Sequence, residues 1–208
     1  MHIIVLANTD QKDLLLLKKI NANVTFEFAD NYTQILSYKS AEVFFILNNE
    51  ININDVHGIT TLPVFINSVI STLQNLPSNV HRINGWPTFL ERTVWEVATK
   101  NETMVKQIFE KIGWTHIAAP DEPGLIAARV IAMIINEAYF AYQDGISSKE
   151  EIDLAMKLGT NYPYGPFEWA KKIGLHNIYY LLKTLSNNDN RYIPAKALKQ
   201  EVLSDNNK

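Results

Sequence analysis

The chain is 208 residues long, is 47% hydrophobic and 20% charged, and carries a formal net charge of -3. This composition is typical of a soluble globular protein with enough apolar material for a core, in one large domain or two small ones. The nearly neutral charge argues against a nucleic-acid binder or a binder of anionic membranes, because both need a basic surface. The absence of cysteine excludes disulfides, thiol catalysis and cysteine-ligated zinc. The five histidines form no His-x-x-x-His pair, which argues against a metal site.

The first residues, MHIIVLANTD, contain an apolar run of only about six residues, without the basic start or the longer apolar stretch of a signal peptide. No other apolar segment approaches the roughly 20 residues that a membrane helix needs. We therefore expect a cytoplasmic protein that does not enter a membrane.

The first part of the chain alternates between strand-like and helix-like segments. Residues 2–7, 23–29 and 41–48 are short and rich in β-branched and aromatic residues, as buried strands are. Residues 11–20 and 31–39 suit the helices between them. This alternation predicts a small parallel sheet with covering helices.

Three further strands are predicted at residues 62–67, 79–84 and 114–119, with a helix over residues 101–113 before the last of them. Gly113 is a natural end for that helix, because glycine readily adopts the left-handed conformation that closes a helix. The α/β pattern therefore continues to about residue 119.

The following part of the chain carries helical patterns without strand-like ones. A long, largely apolar helix is predicted over residues 125–144 and ends at Gly145. Ser147 and Glu150 form a capping box for the next helix, which closes on Gly159. Three more helices are predicted at residues 165–174, 176–186 and 194–203.

These patterns divide the chain into an α/β domain over residues 1–119, an all-helical domain over residues 120–203, and a frayed tail over residues 204–208. The junction is the short segment AAPDEPG, whose prolines stiffen it. We expect the two domains to pack together.

The helical part contains several motifs in series: DEPGLIAARV (121–130), NEAYFAYQDGI (136–146), EIDLAMKLG (151–159) and NYPYGPFEW (161–169). In this order they resemble the C-terminal domain of the 3-hydroxyacyl-CoA dehydrogenases, with its Asp-x-Pro-Gly-Phe-Ile-x-Asn-Arg, Asn-Glu-Ala, Ile-Asp-x-Ala-Met and Gly-x-Pro-x-Gly-Pro-Phe motifs. The resemblance covers roughly residues 120 to 200. It implies an α/β plus all-α fold, with a small, degenerate Rossmann-like parallel sheet domain before the helical domain.

The resemblance also implies an activity. Members of this family transfer hydride between C3 of a 3-hydroxyacyl-CoA and NAD, with the acyl-CoA in the cleft between the domains and the helical domain making much of a dimer contact. A histidine acts as general base, a glutamate orients it, and asparagine and serine side chains bind the substrate oxygen. A neutral imidazole takes the hydroxyl proton, and the carboxylate stabilises the imidazolium that results.

When the family's catalytic positions are carried onto this sequence, most of them hold residues that lack the family's catalytic groups. The family's asparagine falls on Ala128, which has no amide, and Glu96 holds the carboxylate position. The histidine position falls on Asn84 when the match is anchored on Glu96, and on Pro87 when the match is anchored on Gly85. Neither residue can act as a general base. His81 would reach the site only if the strand slipped in register, which would turn alternate side chains to the opposite face. The alternative for His81 is a partly exposed histidine at a strand start.

Glu96 also has a structural alternative, an ion pair with Arg92 or Arg129. The family's substrate-binding serine and asparagine match Ser68 and Asn67, although polar residues after a strand are more often caps.

Aromatic residues give a further hint of a binding surface. Trp86 and Trp95 lie in the region that matches the active-site strand, and Trp86 is a candidate substrate contact. Tyr162, Tyr164, Phe167 and Trp169 cluster around two prolines in the helical part. The alternative role for all of them is core or dimer packing.

The α/β half of the chain, which holds NAD in the family, departs further from the family's pattern. A Rossmann phosphate site needs glycines after the first strand, whereas residues 7–10 are Ala-Asn-Thr-Asp, and Asp10 would repel a phosphate. Asp30, after the second strand, is placed like the acid that binds the adenosine ribose, or it is a helix cap. We expect no bound NAD and no other cofactor. The half is also shorter than the family's, so we expect a trimmed sheet instead of a full six-stranded one.

Three functions remain open. The sequence favours a member of the family that has lost NAD-dependent dehydrogenase activity, retains acyl-CoA or acyl-ligand binding in the inter-domain cleft, and forms a homodimer through its helical domain. The alternatives are an active dehydrogenase with a rearranged site and a non-catalytic dimeric structural protein.

Overall fold

The computed structural model describes residues 1–35, 37–48 and 61–205. The chain forms two compact units, Met1–Leu125 and Ile126–Lys208. The first unit combines a sheet with helices, and the described residues of the second are helical apart from their connections. The predicted α/β plus all-α fold is confirmed.

The first unit is built on a seven-stranded sheet in the order β2-β1-β3-β4-β5-β6-β7. The strands are β1 (His2–Leu6), β2 (Thr25–Ala29), β3 (Val43–Ile46), β4 (Val64–Asn67), β5 (Val80–Ile83), β6 (Val94–Ala98) and β7 (Thr115–Ala118). All neighbouring pairs are parallel except β5 and β6, which are antiparallel.

The expectation of a sheet smaller than six strands is wrong. All six predicted strands are present, and β6 adds a seventh. The apolar pattern did not reveal β6 because Glu96 interrupts it and two polar residues, Arg92 and Thr93, precede it. In the structure Glu96 is itself buried, with 8% of its surface exposed.

Three helices accompany the sheet: α1 (Thr9–Leu16), α2 (Tyr32–Ile35) and α3 (Glu102–Ile112). The first begins earlier than predicted because Asn8 caps it, and the second is a single turn within the predicted range 31–39, of which residue 36 lies outside the described residues. Helix α3 ends at Gly113 in the left-handed conformation, as predicted. Apolar side chains fill both faces of the sheet, as parallel strands require.

The second unit contains α4 (Ala127–Gln143), α5 (Lys149–Thr160), α6 (Pro166–Ile173), α7 (Leu175–Ser186) and α8 (Lys196–Asp205). The five predicted helices are all present. Three details differ from the prediction. Helix α8 continues through Ser204 and Asp205, which were predicted to belong to a frayed tail. The capping box of α5 is Ser148 with Glu151, one residue later than expected, and α5 runs through Gly159 to a left-handed Asn161. No helix in the described ranges is both long and apolar enough to cross a bilayer.

Candidate active site

Four asparagines gather at the carboxyl edge of the sheet. Asn8 and Asn48 lie just beyond β1 and β3, Asn67 ends β4, and Asn84 follows β5. The strand order reverses beside β1, since β2 lies on one side of it and β3 on the other. Open parallel sheets bind ligands outside the carboxyl ends of their strands at such a reversal, so this edge is the candidate site.

The start of α1, directly after β1, is closed by the chain's own side chains. The Asn8 side chain accepts a hydrogen bond from the backbone N–H of Gln11 at 2.9 Å, and the Gln11 side chain accepts one from the N–H of Asn8 at 3.1 Å. The buried Gln11 amide also donates to the carbonyl of Leu47 at 2.8 Å, beyond the end of β3. The local signal for this closure is the Asn-x-x-Gln spacing of a capping box.

This arrangement does not fit the pyrophosphate of NAD. A dinucleotide needs a glycine-lined turn and helix N–H groups that face the phosphates. Here the turn contains no glycine, the Gln11 N–H is bonded to Asn8, and Asp10 places a negative charge in the first turn.

Asp30, the candidate ribose acid, lies exposed just beyond β2. Its backbone N–H donates to the Gln34 side chain at 2.7 Å. The cap of the following turn is Asn31, whose side chain accepts from the N–H of Gln34 at 3.0 Å, so the alternative of Asp30 as that cap is wrong.

The candidate substrate contacts Asn67 and Ser68 both make internal bonds. The Asn67 amide donates to the carbonyl of Leu47 at 3.0 Å, and its oxygen accepts from the N–H of Gly85 at 2.9 Å. A Cβ atom at Gly85 would lie 2.7 Å from the Asn67 Cγ, so this approach requires glycine. The Ser68 hydroxyl donates to the carbonyl of Ser71 at 3.2 Å. Asn67 therefore joins the ends of β3 and β5 across β4.

Asn84 and Glu96 lie opposite each other in the antiparallel pair. The register pairs Arg82 with Ala98 and Ile83 with Val97, and one step further it sets Asn84 against Glu96. Side chains at directly opposed positions share a face, with Cβ atoms about 5 Å apart. Both residues are buried, with 6% and 8% of their surfaces exposed.

A small cavity of about 10 Å³ opens beside this pair. Asn84 and Glu96 line it together with Phe89, Arg92, Val94 and Trp95. Arg92, one of the two partners expected for Glu96, is exposed and stacks over the Phe89 ring at 4.5 Å. Neither side-chain polar atom of Asn84 has a hydrogen-bond partner among the described residues.

His81 lies on the opposite face of the sheet from Glu96. The same register sets His81 against Thr99, and its Nδ1 lies 2.7 Å from the Thr99 hydroxyl. Its ring packs on Phe65 at 4.8 Å, and it is fully buried instead of partly exposed. Burial lowers the pKa of His81 to about 4 from its ordinary 6.5. This histidine is neutral near pH 7 and faces away from the carboxylate.

The loop after β5 is strained. Thr88 has a φ of 76°, a conformation that is costly for a β-branched residue. Trp86, the candidate substrate contact, is 3% exposed, and its carbonyl accepts from the N–H of Phe89 at 3.1 Å. The loop thus holds Trp86 in the interior and sets Phe89 on the cavity wall.

Arg82, which the sequence analysis did not single out, is a fully buried charge on the same face as Asn84. It forms an ion pair with Asp121, and it donates to the carbonyls of Ser68 at 2.8 Å and Val69 at 3.1 Å. Asp121 also accepts from the N–H of Leu73 at 2.8 Å. The one sequence signal for Arg82 is the presence of a charged residue within the buried strand VHRI.

No group of three or more histidine, aspartate or glutamate side chains in residues 1–35, 37–48 and 61–205 is arranged to hold a metal ion. Glu96 is the carboxylate that lines the cavity at this edge of the sheet.

Known proteins resemble both parts of the chain. Residues 124–207 match the family described as 3-hydroxyacyl-CoA dehydrogenase, C-terminal domain. A probable 3-hydroxybutyryl-CoA dehydrogenase of Bacillus subtilis is 33% identical over 151 residues, which cover 69% of this chain and 52% of that protein. The chain belongs to the 3-hydroxyacyl-CoA dehydrogenase family.

A second curated relative agrees with this assignment, and a solved structure shares the fold. The 3-hydroxyadipyl-CoA dehydrogenase of Escherichia coli is 44% identical over 93 residues, which cover 44% of this chain and 20% of that protein. The crystal structure of (S)-3-hydroxybutyryl-CoA dehydrogenase from Ralstonia eutropha superposes with a TM-score of 0.73, at 17% identity, over 98% of this chain and 93% of that one. The chain thus spans about half or less of these curated relatives and shares the fold of the solved one.

In the helical unit of this family member, Ala128 is completely buried in the first turn of α4. It presents a methyl group at the position where the resemblance to the family implies an asparagine. The aspartate of the family's Ile-Asp motif, Asp153, caps α6, because its carboxylate accepts from the N–H groups of Phe167 at 2.8 Å and Glu168 at 3.1 Å.

The aromatic residues of the family's Gly-Pro-Phe region contact one another. Trp169 packs on Tyr162 at 5.5 Å and on Tyr164 at 6.1 Å, and Phe167 packs on Tyr139 at 4.9 Å. These contacts match the packing alternative for this cluster.

Proposed function

We propose that this protein is a member of the 3-hydroxyacyl-CoA dehydrogenase family that binds acyl-CoA without catalysing NAD-dependent dehydrogenation. The observation that carries the proposal is the closed start of α1. There, Asn8 and Gln11 satisfy each other, and Gln11 reaches the carbonyl of Leu47. NAD, the hydride acceptor of the family, would therefore lack the backbone N–H groups that usually bind its pyrophosphate.

The acid–base residues support the same conclusion. Asn84 faces Glu96 where a general base is needed, and His81 is on the other face. Loss of a general base typically lowers a rate by about 10²- to 10⁴-fold. Loss of a donor to the substrate oxygen, as at Ala128, adds a factor of similar size.

Retention of ligand binding is supported by the cavity. A buried polar group without a partner costs roughly 1–3 kcal/mol, and folded proteins seldom keep one without a purpose. Asn84 carries two such atoms beside a buried carboxylate. A ligand that exchanges hydrogen bonds with this amide would recover that free energy.

The test is a pair of measurements on the recombinant protein. With acetoacetyl-CoA and NADH we expect no oxidation of NADH above the buffer rate, whereas an active dehydrogenase of the family, run as the positive control, oxidises it. Titration calorimetry with acyl-CoA should show saturable binding in the micromolar range. Robust oxidation of NADH would favour the alternative of an active dehydrogenase with a rearranged site.

We also propose a homodimer formed through the helical unit. Leu154 and Leu158 are 55% and 79% exposed and lie on one face of α5, being one turn apart, and Ile146 before this helix is 75% exposed. Exposed apolar side chains that share a helix face, as Leu154 and Leu158 do, are typical of an association surface. Sedimentation should give a dimer at micromolar concentration and a monomer for Leu158→Glu. A monomeric unmodified protein would contradict the dimer.

If the dimer forms but no acyl-CoA binds, the remaining alternative of a non-catalytic structural protein is favoured. The calorimetry and the sedimentation experiment together separate these two outcomes.

A further inference from the structure

The amide of Asn84 is a hydrogen-bonding group that the described part of the fold leaves unused. The residue is 6% exposed, and neither its Nδ2 nor its Oδ1 has a partner within residues 1–35, 37–48 and 61–205. By contrast, Asn67 on the neighbouring strand uses both ends of its amide in bonds to the backbone. Asn84 lines the cavity, so its amide is available to a ligand atom that enters there.

The cavity beside Asn84 matches one oxygen atom in size. Its volume of about 10 Å³ is close to the smallest space that holds a water molecule. Phe89, Val94 and Trp95 form apolar parts of its wall, Arg92 also lines it, and Glu96 supplies a carboxylate. A carbonyl oxygen could enter it and meet the amide while the rest of the ligand stays outside.

The loop that shapes this cavity is held in a costly conformation. Thr88 has a φ of 76°, next to Phe89 on the cavity wall. Strain of this kind costs on the order of 1–3 kcal/mol and is concentrated at ligand sites. The strained loop and the unused amide therefore point to the same place independently.

A carboxylate and a neutral donor in one small cavity suit the removal of a proton next to a carbonyl group. The carboxylate takes the proton, and the donor stabilises the oxyanion of the enolate. Glu96 and Asn84 are these two groups, at directly opposed positions on one sheet face. This chemistry requires neither hydride nor NAD, which is consistent with the closed start of α1.

We propose that this site catalyses reversible proton exchange at C2 of an acyl thioester, a proposal that rests on the acyl-CoA binding proposed above. The Glu96 carboxylate takes a proton from C2, and the electrons of that C–H bond form the C1=C2 double bond of an enolate. The negative charge moves to the thioester oxygen, which accepts a hydrogen bond from Asn84 Nδ2. Return of a proton to C2 regenerates the acyl-CoA and the carboxylate, so no oxidant or reductant is consumed.

The experiment measures deuterium incorporation at C2 of butyryl-CoA in D₂O by mass spectrometry. We expect the protein to raise the exchange rate above that of buffer and to leave the rate unchanged when NAD is added. Glu96→Gln should lower the protein-dependent rate by about 10²- to 10⁴-fold, because it removes the base. Asn84→Leu should lower it by about 10²- to 10³-fold, because it removes the oxyanion donor.

The control variant is Glu91→Gln, which makes the same carboxylate-to-amide change at an exposed position that does not line the cavity, and it should keep the full rate. Circular dichroism establishes that each variant is folded. Exchange by the unmodified protein no faster than in buffer overturns the proposal whether or not the variants fold. Equal rates for the unmodified protein and Glu96→Gln also overturn it.

Calorimetry with butyryl-CoA keeps the two proposals distinguishable. Binding without exchange refutes proton transfer and leaves the acyl-CoA binder standing. Absence of both binding and exchange refutes both proposals. Exchange together with NADH oxidation supports proton transfer and refutes the loss of dehydrogenase activity.

Discussion

The guanidinium of Arg82 and the carboxylate of Asp121 form an ion pair between residues 39 positions apart in the sequence. Arg82 is fully buried, whereas the Asp121 side chain is 35% exposed. The pair ties β5 to the segment before the long helix of the second unit. The same segment is held by the N–H of Gly124, which donates to the carbonyl of Val69 at 2.8 Å.

Asp121→Ala should destabilise the protein, because it leaves the buried guanidinium of Arg82 without its counter-charge. Breaking one side of a buried pair typically costs about 3–5 kcal/mol, and the partial exposure of Asp121 places this pair at the low end. Urea unfolding measures the loss. Glu110→Ala, which breaks the exposed pair with Lys106, is the control and should cost less than about 1 kcal/mol. Equal losses in the two variants would show that Arg82 does not depend on Asp121.

Gly165→Ala should destabilise the helical unit. A Cβ atom there would lie 2.3 Å from the Asp153 Oδ1, and that carboxylate cannot retreat without releasing the N–H groups of Phe167 and Glu168. Overpacking costs about 1–3 kcal/mol, and loss of the cap adds about 1 kcal/mol. Gly159→Ala is the matched control: nothing lies within 4 Å, and alanine in a helix should stabilise by about 0.5–1 kcal/mol. Thermal unfolding should move the two variants in opposite directions.

The stability of the protein should fall in acid through His81. Its pKa in the fold, about 4, lies below the ordinary 6.5, so protons bind the unfolded chain preferentially. The neutral, buried His81 contributes about 3 kcal/mol to the free energy of unfolding above pH 6.5. This contribution is lost as the pH falls towards 4. His81→Phe removes the titration and keeps a ring beside Phe65. The free energy of unfolding, measured with denaturant, should fall less between pH 7 and pH 4 in the variant than in the unmodified protein. Equal decreases in the two proteins would refute this role of His81.

Asn84→Leu should stabilise the ligand-free protein or leave it unchanged, although the same change should lower the rate of the proposed exchange by about 10²- to 10³-fold. The amide has no partner to lose among the described residues, and the leucine side chain has the same number and branching of heavy atoms. Asn67→Leu is the matched control and should cost about 1–3 kcal/mol, because Leu47 and Gly85 each lose a hydrogen bond. Comparison of melting temperatures tests the pair. A comparable loss at both positions would mean that the Asn84 amide already serves the fold.

Much of the fold could be predicted from the sequence because the signals for its strands and helix ends are local. Strands such as VFFI, and helix ends such as Gly113, are encoded by neighbouring residues. The shift of the α5 cap from Ser147 to Ser148 shows the limit of this approach, since both residues are serines and each has a glutamate three positions later. Strand β6 was missed because its central Glu96 breaks the apolar pattern, and its burial depends on tertiary surroundings that no local pattern shows.

The candidate site was only partly predictable. Resemblance to the family pointed to Asn84 and Glu96, whose opposition then follows from strand register. The bond from the Gln11 amide to the carbonyl of Leu47 and the ion pair of Arg82 with Asp121 each join residues more than 30 positions apart, which no local pattern specifies. The two ends of the Asn67 amide were likewise unpredictable, because they meet backbone groups of two other strand ends.

The antiparallel pairing of β5 and β6 has an evolutionary consequence. Because backbone register fixes position 84 opposite position 96, the loop between them can change in length or sequence without separating the two side chains. Chemistry at this place can therefore be altered by one substitution on a scaffold that stays in place. A family with this architecture can gain or lose a reaction without first rebuilding its sheet.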